Sequence, residues 1–185
     1  FKKNTKLSDL IHHNYLLLPI LNRFDIQLGF GDETIYGICQ KQCINIDFFL
    51  EIINSYHDPD YFPQSNLQQF SLKLIIDYIK KSHDYYLKIK VPQIEEMIKK
   101  LENTGDEKKK HNFRVIKEFY HNYRDELREH IIEEETNMHP YVLTIENAFR
   151  NNEIESYYIE MVRNKSIEKF EEDHHDMDDK LFDLK

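Results

Sequence analysis

An all-α fold is predicted by three features of the 185-residue chain. Glycine occurs only at Gly29, Gly31, Gly37 and Gly105, and there are five prolines, whereas β-rich folds use both at every turn. Long stretches lack either residue. In those stretches apolar side chains recur at helical spacing against a background of Leu, Ile, Glu and Lys. Apolar residues make up 40% of the chain, which supports a packed core and argues against wholesale disorder.

Residues 1–60 read as a short helical N-terminal domain. Ser8 is expected to cap the first helix, whose inward positions run Leu10, Ile11, Asn14, Leu17, Leu18 and Leu21. Pro19 interrupts or restarts it, because proline lacks an N–H and clashes with the preceding turn. Gly29-Phe30-Gly31-Asp32 is a turn. Thr34 is the expected N-cap for Ile35 to Gln42, and Asp47 for Phe48 to Tyr56. Cys39 and Cys43, four apart, fall on one helical face and read as two small half-buried side chains. Two cysteines are too few for a disulfide scaffold, and their spacing is not that of a Cys-x-x-Cys redox motif. The stretch from His57 to Pro63 carries turn chemistry and marks the expected domain boundary.

Residues 66–185 read as a bundle of three long helices. The first carries Leu72, Ile75, Ile76, Ile79, His83, Tyr86, Leu87, Ile94, Met97, Ile98 and Leu101 at helical spacing, with a kink expected at Pro92. A turn follows at Asn103-Thr104-Gly105-Asp106. The second spans roughly 109–150, with Pro140 expected to bend or break it, and the third starts near Glu153.

The formal charge is 25 − 34 = −9, which argues against a large phosphate-binding face and hence against nucleic-acid contact. No run of about 18 apolar residues exists, so no membrane contact is expected. No basic-then-apolar leader is visible, and the sparse cysteines suit a reducing cytoplasm. The chain starts at Phe1 rather than Met, so a trimmed native start is expected. Neither Gly-x-Ser-x-Gly nor a phosphate-cradling glycine loop occurs, and no catalytic residue is assigned.

The sharpest chemical feature is Glu126-Leu127-Arg128-Glu129-His130-Ile131-Ile132-Glu133-Glu134. A spacing of four places Glu126, His130 and Glu134 on one helical face, beside the stripe of Leu127, Ile131, Met138 and Val142. Burying unpaired charges is costly, and a bound cation removes that cost. His83 lies on the inward stripe of the first long helix, and the third helix adds Asp173-His174-His175-Asp176. Imidazole with carboxylate suits iron, zinc or manganese, and carboxylate bridging favours iron.

With these residues in place, the chain resembles the hemerythrin-like domains, and among them the RIC (repair of iron centres) proteins. That resemblance implies a short helical N-terminal domain and a four-helix bundle holding two non-haem irons. Its ligands are one His on the first bundle helix, His-x-x-x-Glu on the second, one His on the third and His-x-x-x-Glu on the fourth, with the two Glu bridging the irons. By resemblance, His83 is the first-helix ligand, His130 and Glu134 are the second-helix pair, and Glu126 is a supporting carboxylate near the irons. For the third helix the resemblance selects His175, because His-Asp is followed by apolar residues. Simple periodicity instead favours His174, in line with Ile167, Phe170, Met177 and Leu181. Both stay open.

Two departures bear on function. RIC proteins usually have adjacent cysteines in the N-terminal glycine turn, where this chain reads Leu28-Gly29-Phe30-Gly31. No second His-x-x-x-Glu occurs, so at most four ligands of the implied six are present and the fourth helix is expected to be missing. Iron is then expected to be held weakly or not at all, and the vacated groove to invite a homodimer or helix exchange. The resemblance implies reaction with dioxygen, nitric oxide or oxidants, in iron–sulfur cluster repair. A second reading is the sensory input domain of a larger transcriptional regulator, and a third is a purely structural bundle.

Overall fold

A computed structural model describes residues 1–61, 67–102, 110–152 and 159. Among the described residues every regular element is helical, and the only β feature is an isolated bridge between Lys6 and Thr34. The chain is all-α. It divides into two compact units, Phe1–Ile89 and Lys90–Lys185. The turn chemistry near residue 60 pointed to an earlier division. The first unit extends further because Phe70, Leu74, Ile75 and Tyr78 pack against the N-terminal core.

The first unit contains α1 (Leu7–His13), a 3-10 turn (Tyr15–Leu17), α2 (Leu18–Arg23), α3 (Ile35–Lys41), α4 (Ile46–His57) and α5 (Leu72–Tyr85). Leu7, Leu10, Leu17, Phe48, Phe49 and Ile53 are buried at its centre. Pro19 restarts the helix: it occupies the first turn of α2, where its missing N–H has no partner to lose. Thr34 caps α3 as expected, accepting from the Gly37 N–H at 3.1 Å. Ser8 is not a cap but lies inside α1. The Leu7 N–H instead donates to the Glu33 carbonyl at 3.0 Å, so a backbone carbonyl just after the Gly turn does the work of a capping side chain. The cap of α4 is Asn45 rather than Asp47, with the Asn45 side chain accepting from the Phe48 N–H at 3.0 Å. The Gly turn is left-handed at both glycines, with φ of 97° at Gly29 and 57° at Gly31.

Helices α2 and α3 end in the same way. The residues after their C-caps, Asp25 (φ 59°) and Cys43 (φ 56°), are left-handed without being glycine. Each is followed by an N–H that reaches back five residues, Ile26 to the Leu21 carbonyl and Ile44 to the Cys39 carbonyl, both at 2.9 Å. This geometry separates the two cysteines: Cys39 is buried inside α3, whereas Cys43 lies beyond its end and is exposed. The shared helical face expected from their spacing does not form. Cys43→Gly is expected to stabilise the chain by about 0.5–1 kcal/mol, because glycine adopts this φ without a steric penalty. Urea titration followed by circular dichroism checks it, and unchanged or lowered stability contradicts it.

Arg23 ties α2 to α4 and α5. It is only 5% exposed. Nη1 donates to the Tyr56 hydroxyl at 2.9 Å and the Tyr78 hydroxyl at 3.2 Å, and Nη2 to the Tyr86 hydroxyl at 3.3 Å. The guanidinium also lies 5.2–5.5 Å from the ring centroids of Tyr56, Tyr85 and Tyr86. No carboxylate pairs with it among the described residues. Burial works against its charge, but the bonds to Tyr78 and Tyr56 outweigh that and raise its pKa. Burial likewise pushes the Tyr78 phenol up to about 12, against the opposing pull of Arg23.

The second unit contains α6 (Val91–Glu102), α7 (Lys110–Glu133), a π-helical turn (Glu134–Met138) and α8 (His139–Arg150). Helices α6 and α7 run antiparallel. They are joined by Arg124 Nη1 to Glu95 Oε1 at 2.8 Å, Lys117 to Glu102 at 2.9 Å and the Tyr120 hydroxyl to the Val91 carbonyl at 3.1 Å. Neither Pro92 nor Pro140 ends the helical path. Each follows a π turn, Tyr86–Lys90 in the first case and Glu134–Met138 in the second. Proline's ring clashes with the carbonyl four residues back, here Lys88 and Thr136. Both carbonyls lie inside a π turn, whose wider ring relieves the clash. The Asn103–Asp106 turn and, apart from Ile159, the helix expected from Glu153 lie outside the described residues.

Candidate metal centre

The second unit brings one imidazole and one carboxylate together. His130 is in the last turn of α7, and Glu134 opens the π turn that follows. Four residues of helix put them on one face, with His130 Nε2 3.5 Å from Glu134 Oε1. Their side chains are 16% and 11% exposed. Beside them Ile131 is buried, as is Tyr120 further back along α7. Glu126, one turn before His130, is half-buried.

The donor pair fits a metal ion. Metal bonds from imidazole nitrogen and carboxylate oxygen are about 2.1 Å, so one ion spans donors up to about 4.2 Å apart. The 3.5 Å separation lies within that reach. A carboxylate kept this dry is held by charged or hydrogen-bonding partners, and a metal ion can be one of them.

The other candidates are distributed differently. His83 is half-buried in the last turn of α5 and belongs to the first unit, whereas His130 and Glu134 belong to the second. His174 and His175 lie outside the described residues. Among the described residues no group of three or more His, Cys, Asp or Glu side chains has a metal-holding arrangement.

The buried polar or charged side chains are Arg23, Glu134 and His139 among the described residues. Sequence reasoning selected only Glu134. His139 is 5% exposed, and its backbone N–H closes the π turn on the Glu134 carbonyl. A spacing of five aligns poorly on an ordinary α-helix, but a π turn joins residues five apart. Pro140, immediately after His139, was the signal for that turn. Arg23 escaped notice because one arginine ahead of Phe24-Asp25 carries no periodic signature. The twelve tyrosines were the clue to its surroundings.

No protein-family model, curated protein or solved structure matches this chain. No helix among the described residues is long and apolar enough to cross a membrane.

Proposed function

We propose that the chain is a hemerythrin-like non-haem di-iron protein that reacts with or senses dioxygen, nitric oxide or oxidative stress. The observation that carries this reading is the dry pair of His130 and Glu134, 3.5 Å apart on one face. In this reading Glu134 and His130 would hold iron, and the resemblance would add His83 and His175, or His174 in its place, as the further ligands that this sequence supplies. Glu126 holds a neighbouring ligand or water by hydrogen bonding. Iron, when bound, supplies the reactivity toward small oxidants, while these side chains hold and shield it.

Sensing, as the input domain of a larger regulator, is favoured over cluster repair by the thiols. Neither lies in the Gly turn, and burial pushes the Cys39 thiol up to about 11. On α6, Ile94, Met97 and Leu101 form an exposed apolar stripe, which supports a homodimer or exchange of a helix with a second copy.

Anaerobic ferrous titration with metal analysis tests the metal reading, with light scattering run on the same samples. The wild-type chain is expected to bind iron weakly, as four ligands of the implied six allow, and His130→Ala roughly a hundredfold more weakly still. Equal iron retention by the two, or no binding by either, removes the metal reading. A monomer that holds stoichiometric iron removes the partner-supplied helix.

A further inference from the structure

The hydrogen bonds of Arg23 do not use up its donors. A guanidinium carries five N–H groups. Nη1 gives two, to Tyr56 and Tyr78, and Nη2 gives one, to Tyr86. Nε has no acceptor among the described residues, although the side chain is buried. Three bonds from five donors leave two, one on Nε and one on Nη2. These neighbouring nitrogens match the two oxygens of a carboxylate, the pairing that a buried guanidinium ordinarily makes. Among the described residues no carboxylate takes that place.

The same side chain lines a pocket of about 190 Å³. Asn22 and Asp25, at the end of α2, form one wall; Lys81, Asp84 and Tyr85 of α5, with Lys88 and Ile89 of the π turn after it, form the other. Drug-sized ligands occupy about 300 Å³ or more, so the space suits a small ion or a short acid.

The charges of the lining do not cancel. Lys81 pairs with Asp25 and Lys88 with Asp84, and all four side chains are exposed. With Arg23 the lining holds three cations against two carboxylates, 3 − 2 = +1. The surplus charge is the buried one, and a buried charge without a counter-ion is costly. A monoanion balances it. A phosphate dianion overshoots, leaving a net negative charge beside the tyrosines.

We propose that this pocket binds a small aliphatic monocarboxylate, with its two oxygens on Nε and Nη2 of Arg23 and its short tail against Tyr85 and Ile89. The site uses only residues of the first unit and is independent of iron.

The Arg23 Nε–H resonance of the full-length 15N-labelled chain provides the readout. Sodium acetate is expected to move it downfield along a saturating curve, beyond any effect of sodium chloride at the same ionic strength. Acetamide, which has nearly the same shape and no charge, is expected to leave it in place. Tyr86→Phe alters a side chain that is 41% exposed, keeps the ring beside the guanidinium and releases a third donor. It is expected to tighten acetate about threefold. Lys88→Gln leaves Asp84 without its cation at the pocket and is expected to weaken acetate about threefold. A resonance that acetate moves no further than chloride, in both wild type and Tyr86→Phe, overturns the site. An equal response to acetamide overturns the assignment of an anion, and tighter binding of inorganic phosphate than of acetate overturns the assignment of a carboxylate.

Discussion

Arg23→Ala is expected to lower the unfolding free energy by about 3 kcal/mol, because the side chain is at once the densest polar contact of the first unit and a buried charge. Hydrogen bonds to a charged group contribute about 1.5–3 kcal/mol each, and a desolvated cation–π contact about 2. Three phenols accept from the guanidinium, but Tyr56 and Tyr86 remain 53% and 41% exposed, so water replaces part of what they lose. Guanidinium desolvation opposes the sum by several kcal/mol. The balance predicts an order among substitutions. Arg23→Met keeps the apolar stem, discards the desolvation cost and costs about 1–2 kcal/mol. Arg23→Lys fares worse than Met: a compact, strongly hydrated ammonium lacks the fork that reaches three hydroxyls, and it stays buried with no carboxylate. Urea titration followed by circular dichroism gives the order. A lysine variant as stable as wild type makes the charge alone sufficient and removes the role of the fork.

That cluster also marks where sequence reading stopped. Helix periodicity identified the class and most elements, because Leu10, Leu17, Leu21, Ile35 and Ile53 face one core at the spacing a helix imposes. Caps were legible where a side chain does the capping, as at Thr34, and not where tertiary structure replaces it, as at α1, whose first N–H goes to the Glu33 carbonyl. The prolines were read as kinks because the accommodating π turn depends on the backbone around it. The Cys39–Cys43 spacing misled because a left-handed residue ended α3 early without glycine to announce it. For the site, a spacing of four on one helix was enough to pair His130 with Glu134. Residues from separate helices offer no such local rule, so the spacing alone said nothing of the tyrosines around Arg23, and His139 lies five residues from Glu134, a spacing that only the π turn joins.

Glu134→Gln is expected to move stability and iron affinity in opposite directions. A carboxylate only 11% exposed carries a desolvation cost that an amide of nearly the same shape does not. Glutamine has nearly the same shape and no charge, so the metal-free variant is expected to unfold about 1 kcal/mol later than wild type. Metal binding inverts the sign, because an amide cannot supply the anionic oxygen that a ferrous ion takes up, and affinity falls by roughly a hundredfold. A merely structural Glu134, held in a hydrogen-bonded pair with His130, behaves otherwise: the substitution then lowers apo stability and leaves iron uptake unchanged. Measuring both quantities on one preparation separates the cases, since a side chain that destabilises its own fold is retained for what it binds.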